Sequence, residues 1–452
     1  MRISKYAIYE IILFHVFVVL FALTFPEKDA WSVTIFLLCM VVALMVLEYL
    51  RTRLFVSPLF FWFAFWLGAI ILGRMHLGIG VYPLYQEWSV RLLRIIVFNT
   101  LVFFWAYGLG EWRWKRTFGK KPDRQPGASE TELLADLVIL LLILASVSYA
   151  MNVFTTGVIP QLTGDANSYR NSFVATRYYQ IVGLLRFVVA CVPPAVKCTR
   201  SGVKKTVLIV LTGMYLLEEM LTGWRGYTLQ AMILLMTSVL LISDTESAKA
   251  RKRNALIIFS TGLLAVAFIV YITVTRDGSF EAVEVRIKYA IDNFYLYVAP
   301  NFLNFQTAVE KVQPKGFLMY SVEALWGFIM PAWENPLYIW DDVEYSIGAY
   351  NVCTYLLEPF CDLGTGGTLL WSSLIAFFSG KMFAISREKK TVLSIVAVGI
   401  ANITIFMLHN NFFLRSSSVL IWLVAGAGLG WLTRKRSTPF YGKEILQKKY
   451  SV

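Results

Sequence analysis

The side chains best suited to chemistry in this sequence are arginines set where polar stretches meet long apolar runs. Arg170, Arg177, Arg225, Arg276 and Arg415 lie in such stretches, together with Arg74, Arg91, Arg94 and Arg286. Arginine presents a planar fork of donors that matches a phosphate, and a group of arginines on one membrane surface suggests a lipid-phosphate site. The plainer alternative is that each pairs with a carboxylate and braces a loop. Arg186 stands apart, roughly two turns inside an apolar run, and needs a counter-charge there. Glu218 and Glu219 lie at a similar depth. The pair either fixes helix register or sets a charge beneath a phosphate headgroup. Thr222-Gly223-Trp224-Arg225-Gly226 reads as a turn whose glycines let backbone approach a ligand while Arg225 projects between them. His409, followed by Asn410 and Asn411, ends an apolar run and is a candidate base, or else a satisfied interface histidine. It faces the same layer as Asp362. His15 reads as a packed residue inside a run and His76 as a loop residue.

These residues need a scaffold, and composition says which kind. Of 452 residues, 57% are hydrophobic and 16% charged, and the mean hydropathy is +0.60. A soluble domain cannot hide that much apolar surface, so the chain is expected to be an all-α polytopic membrane protein. Apolar runs fall at 8–25, 31–50, 55–72, 92–109, 133–150, 180–196 and 206–221, then down to Ile242, and at 256–274, 368–385, 392–408 and 418–432. That makes about twelve spans in a single membrane domain, 1–452. Basic clusters mark alternate connections as cytoplasmic: Arg51 and Arg53, Arg113 to Lys121, Lys197 to Lys205, Lys249 to Arg253, Arg387 to Lys390, and Arg434 to Arg436. Both termini are then inside. The net charge of +13 follows from these clusters and calls for no nucleic acid. The excess of arginine over lysine on the outer side runs against the positive-inside rule, so orientation does not account for it.

Residues 276–366 form an outer loop of roughly ninety residues, far longer than a connector needs. Helix is expected from Glu281 to Val312, with Phe294, Tyr295, Tyr297, Phe302 and Phe305 as an aromatic stripe that reads as an interfacial anchor. Trp326, Trp333 and Trp340 follow in a proline-punctuated segment. Tyr350 to Gly367 is a short helix that breaks at Pro359 and re-enters the membrane through a glycine turn, with Asp362 at the lipid edge. Cys353 and Cys361 are expected as thiols, and no metal site is evident. An outward face in a bacterium has no ATP, so any group transfer there must use a donor activated beforehand.

The combination resembles the oligosaccharide repeat-unit polymerases, the Wzy-type O-antigen and capsule polymerases. Three local signatures carry the resemblance: Gly157-Val158-Ile159-Pro160 with Tyr169-Arg170; Thr222 to Gly226; and Asn351, Thr354 and Asp362-Leu363-Gly364 through Gly367. The paired Arg-x10-Gly motifs of some members are not matched; Arg415 to Gly426 has the spacing but runs through a span. The resemblance implies a GT-C-like inner-membrane glycosyltransferase with no cofactor or metal. It would join glycan repeats carried on undecaprenyl diphosphate at the periplasmic face, in company with a flippase and a chain-length regulator. The growing chain moves to the non-reducing end of a new unit and undecaprenyl diphosphate leaves. Arg170, Arg177, Arg186, Arg225, Arg276 and Arg415 would hold the lipid diphosphates. Asp362, His409, Asp277 or Glu219 would act as base. The alternatives are an O-antigen ligase, which uses the same donor but lipid A–core as acceptor, a flippase or other transporter, and a non-catalytic assembly subunit. On this reading the chemistry sits where the two ends of the loop meet the other outer loops, and the middle of the loop is a lid.

Overall fold

The computed structural model describes residues 5–25, 31–74, 87–118, 132–163, 166–243, 247, 249–250, 252–257, 260, 262–263, 267, 271, 295, 298–316, 318, 320–321, 353–408 and 417–433. Among these residues the protein is helical and has no strand. The helices are α1 (Lys5–Thr24), α2 (Trp31–Thr52), α3 (Pro58–Arg74), α4 (Val90–Phe118), α5 (Leu133–Thr156), α6 (Ala166–Ala175) and α7 (Arg177–Cys198). They continue with α8 (Gly202–Leu221), α9 (Arg225–Ile242), α10 (Ala299–Lys311), α11 (Leu357–Lys389), α12 (Val392–Phe406) and α13 (Ser417–Thr433). α1, α2, α4, α5, α7 and α11 are long and apolar enough to cross a membrane, and α3, α9, α12 and α13 are shorter apolar helices. This is a multi-pass membrane protein. Each apolar run of the sequence coincides with a described helix except 256–274, most of which lies outside the described residues.

Local chemistry sets the helix ends. Ser57, Thr176, Ser201 and Thr391 each accept a backbone N–H at a helix start, and Pro58 opens α3 where a missing N–H costs nothing. Gly157 closes α5 at φ 70, in the left-handed region that a side chain would resist.

Side-chain contacts define the two ends of the bundle. At one end, the guanidinium of Arg51 on α2 meets Glu10 of α1 at 3.0 Å, Glu48 at 2.6 Å and Glu111 of α4 at 2.7 Å. Arg387 of α11 reaches Glu111 at 3.8 Å, and Ser57 donates to Glu48. At the other end Arg74, closing α3, donates to Thr24, closing α1. The start of α1 and the ends of α2, α4 and α11 therefore share one face. Asn402 of α12 donates to Val56 O (3.1 Å) beside the Arg51 cluster and to Thr237 of α9 (3.0 Å). The second half of α9 thus lies toward that cluster and its first turn points away from it.

α4 and α11 make the most extensive pairing, and they approach at backbone level. A Cβ on Gly110 would collide with Phe377 O, and one on Gly380 with Tyr107 O. Small residues at Ala376, Gly380 and Ala384 repeat every four positions along α11, the spacing that lets membrane helices pack closely. A buried polar chain seals the crossing. Asn99 donates to Thr368 (3.0 Å), Ser372 donates to Asn99 (2.6 Å), and Tyr355 bonds Ser372 (2.6 Å). α12 is buried on nearly every side and joins α3, α9, α11 and α13.

Two expectations need correction. The glycine turn at 364–367 was expected to separate loop from span. Leu363 (φ −129) and Gly364 (φ 61, ψ −148) are indeed not helical, so within α11 a short first helix gives way to a long second one there, and the break expected at Pro359 falls at this glycine turn instead. The aromatic stripe expected as an interfacial anchor is core packing: Ala299 through Val309 of α10 are all buried. Phe302 lies 5.7 Å from Trp66 and 4.9 Å from Trp88, and Phe305 meets the edge of Phe360 at 5.8 Å. Gln306 accepts Ser89 N–H (2.8 Å) and donates to Glu87 O (2.9 Å), fixing α10 to the entrance of α4. Other helices cover this stripe where lipid was expected to.

Candidate functional site

The first turn of α9 is the centre of the site. Thr222 Oγ1 donates to Glu219 O (2.7 Å) and accepts Trp224 N–H (3.3 Å), and Gly223 takes φ 74, so the chain reverses within a few residues. Gly223 serves this turn. Gly226 is already helical, with nothing within 4 Å of the place a Cβ would take. The reversal sets Trp224 and Tyr227 on one face as a stacked pair, 5.3 Å apart with planes 19° from parallel.

Each ring of that pair carries an arginine. Arg170, half-buried on α6, lies with its Cζ 5.1 Å from the Trp224 ring. Arg186 lies with its Cζ 4.4 Å from the Tyr227 ring and 5.8 Å from the ring of Trp422 of α13. The result is a ladder of cations and rings, Arg170–Trp224–Tyr227–Arg186–Trp422. Cation–π contacts hold a guanidinium in place without consuming its N–H donors. Arg177 opens α7 and is exposed on the same side, next to Thr176, whose hydroxyl donates to Asn152 and caps the helix.

Arg186 sits where α7 tightens to a 3-10 turn, Leu185–Phe187, and is buried. Its Nε donates to Glu219 Oε1 at 2.9 Å and its Nη1 to Gln230 Oε1 at 2.8 Å. Glu219 is fully buried and also accepts from Tyr179 OH (2.8 Å) and Tyr215 OH (2.8 Å). The expected partnership of Arg186 with the α8 carboxylates is therefore present, made by Glu219. Because both carboxylate oxygens receive donors, Glu219 is set up to hold a cation. Arg186 Nη2 has no hydrogen-bond partner among the described residues, nor do Trp224 Nε1 and Thr228 Oγ1 on α9.

Asp362 belongs to a different cluster. It is buried on the short half of α11 before the kink, and its Oδ1 and Oδ2 accept the backbone N–H groups of Tyr320 (2.9 Å) and Ser321 (2.8 Å). Lys315 N–H bonds Cys361 O (2.9 Å) and Gly316 N–H bonds Asp362 O (2.8 Å). Pro314 packs over Gly364, 3.3 Å from where its Cβ would be. Asp362 thus pins the segment after α10 onto the α11 kink. Cys353 and Cys361 are buried, and Cys353 donates to Asn301 O at 3.6 Å.

The structure brings together Arg170, Arg186 and Glu219. Arg225 opens α9, so its backbone is at the site, though its side chain lies outside the described residues. Arg276, Asp277, His409 and Arg415 also lie outside them. Of the other arginines expected on the outer side, Arg74 is engaged with Thr24, and Arg91 lies 5.8 Å from the Phe360 ring. Tyr179, Tyr215, Tyr227, Gln230 and Trp422 were not singled out from sequence. Gln230 carried a usable signal, a lone amide deep in the apolar run of α9. No family model, curated protein or solved structure matches this chain.

Proposed function

We propose that this protein is a polytopic glycosyltransferase of the inner membrane that polymerises lipid-linked oligosaccharide repeat units. The cation–aromatic ladder at the start of α9 would receive the diphosphate of the lipid carrier. One observation carries the reading: a buried arginine held by Glu219 and Gln230 shares the stacked Trp224–Tyr227 pair with a second arginine, Arg170. Fixed cations around a diphosphate stabilise the charge that grows on it as the glycosidic bond breaks, and they do so before the reaction begins.

The topology supporting this reading has about twelve crossings with both chain ends inside. The contacts of Arg51 with Glu10 and Glu111 agree with it, since they join helix ends that the basic clusters assign to the cytoplasmic side. The α9 turn then lies at the outer face, with the segment that Asp362 pins onto α11 as part of the large outer loop. The acceptor hydroxyl needs a base, and Asp362, Asp277 and His409 remain the candidates, with Glu219 weakened for that role by its commitment to Arg186.

The test is purified protein with synthetic undecaprenyl-diphosphate repeat units, resolved as a polymer ladder. The expected outcome is a ladder from repeat units alone, lost in Arg170→Ala. Transfer onto lipid A–core and not onto repeat units would make the protein a ligase instead. No transfer in either arm would overturn the reading.

A further inference from the structure

At the end of the bundle away from the α9 turn, Arg51 gathers carboxylates from three helices. Glu10 of α1, Glu48 of α2 and Glu111 of α4 are all buried, Glu48 completely. Arg387 of α11 reaches Glu111 at 3.8 Å. Assigning Arg387 to Glu111 leaves Glu10 and Glu48 with one guanidinium between them. Both meet the same nitrogen of it: Nε lies 3.0 Å from Glu10 Oε2 and 2.7 Å from Glu48 Oε2. If both were ionised, one buried negative charge would have no counter-charge, a cost that a buried group avoids by becoming neutral.

The hydrogen bonds distinguish the two groups. Glu48 accepts from Arg51 and from Ser57, as a carboxylate does. Glu10 Oε1 accepts from nothing among the described residues. Glu10 also lies within hydrogen-bonding reach of Glu48, and two carboxyl groups can bond each other only through a proton. From α4 the buried hydroxyl of Tyr107 faces Glu10, Glu48, Glu111 and Arg51, yet it has no hydrogen-bond partner among the described residues. This neutral donor therefore does not supply the missing compensation. The carboxylates do not converge as metal ligands do: among the described residues no group of three acidic side chains is arranged to hold an ion. A proton needs no cavity, so it fits where the oxygens are fully enclosed. Arg51 and Arg387 are partly exposed, which gives the cluster a rim for proton exchange with solution.

We propose that Glu10 and Glu48 hold one proton between them, mainly on Glu10, and that it ties α1 to α2 in a pH-sensitive way. When the proton passes to water, two carboxylates face each other across the α1–α2 contact and push α1 away. The docked pair binds a proton that separated glutamates would release, so stability falls as pH rises. The proposal is independent of the polymerase reading.

Full-length protein in detergent is unfolded at fixed ionic strength from about pH 6 to about pH 9, above the range of an ordinary glutamic acid. Relative to Glu10→Gln, the wild type should lose up to about tenfold in its folding equilibrium per pH unit. Glu10→Gln, whose amide can donate to Glu48, should match the wild type at the low end of that range. Glu48→Gln should lack the pH dependence too, so either variant serves if the other fails to fold. Infrared spectra of protein with isotope-labelled glutamate should show a protonated-carboxyl band that Glu10→Gln removes. Parallel pH curves for the wild type and the variants, or a band untouched by the substitution, overturn the proposal. So does recovery of wild-type stability by sodium at constant pH and ionic strength, which would assign the pair to a metal cation.

Discussion

Arg186 makes a helix-packing contact, and the proposed function gives it a second role at the lipid diphosphate; the two roles separate experimentally. Removing the guanidinium alone strands Glu219 in a fully buried position. Arg186→Met should therefore destabilise by about 3–5 kcal/mol, read as a lowered Tm in detergent. The paired change Arg186→Met with Glu219→Leu removes both charges and should recover most of that loss. In the proposed reaction it should still form no polymer. A stable, fully active double variant would reduce Arg186 to a packing residue. Asp362 invites a similar separation. Asparagine would turn an N–H toward one of the two backbone donors that the carboxylate now accepts, so Asp362→Asn should cost about 1–3 kcal/mol. It should also speed proteolysis between Pro314 and Ser321. An unchanged melt and cleavage pattern with lost activity would favour the base role over the pinning role. Sequence named Arg186 with its carboxylate because charge inside lipid demands a partner. It could not find Tyr179, Tyr215 or Gln230, whose side chains converge only once α7, α8 and α9 are packed.

At the level of elements, the α4–α11 crossing is the tightest joint. Gly110→Val should cost at least about 2 kcal/mol, because the added carbons meet a carbonyl that cannot rotate away. Gly108→Ala is the control, with nothing within 4 Å of its Cβ position, and should leave the melting curve unchanged. Equal effects at the two positions would remove the backbone-contact explanation. Helix existence was legible throughout this region because apolar runs of spanning length have few other meanings. What covers an apolar face was not legible. The Phe302 and Phe305 stripe of α10 has the same composition whether lipid or Trp66, Trp88 and Phe360 lie against it. The glycine turn in α11 was legible, but the break expected at Pro359 lies at Leu363 and Gly364, and the Asp362 bonds beside it come from residues more than forty positions away.

Across the whole molecule, the Arg51 cluster ties α1, α2 and α4 at one face and reaches α11 through Arg387. Arg51→Gln leaves three buried carboxylates without their shared cation and should lower stability by about 3 kcal/mol or more, with α1 the first helix to become accessible to protease. Loss of stability without early α1 cleavage would count against the cluster as the tie that holds α1. That the chain crosses a membrane several times was its most legible property, because apolar runs of spanning length need no packing to be read. The glycine-to-carbonyl contacts between α4 and α11 have a mechanical consequence. Side chains can give way through new rotamers, but touching backbones cannot, so this crossing resists small sliding steps. Any widening that admits a bulky substrate must then be carried by helices that meet through side chains, α5 to α9 and α13, swinging about the α4–α11 joint as a fulcrum.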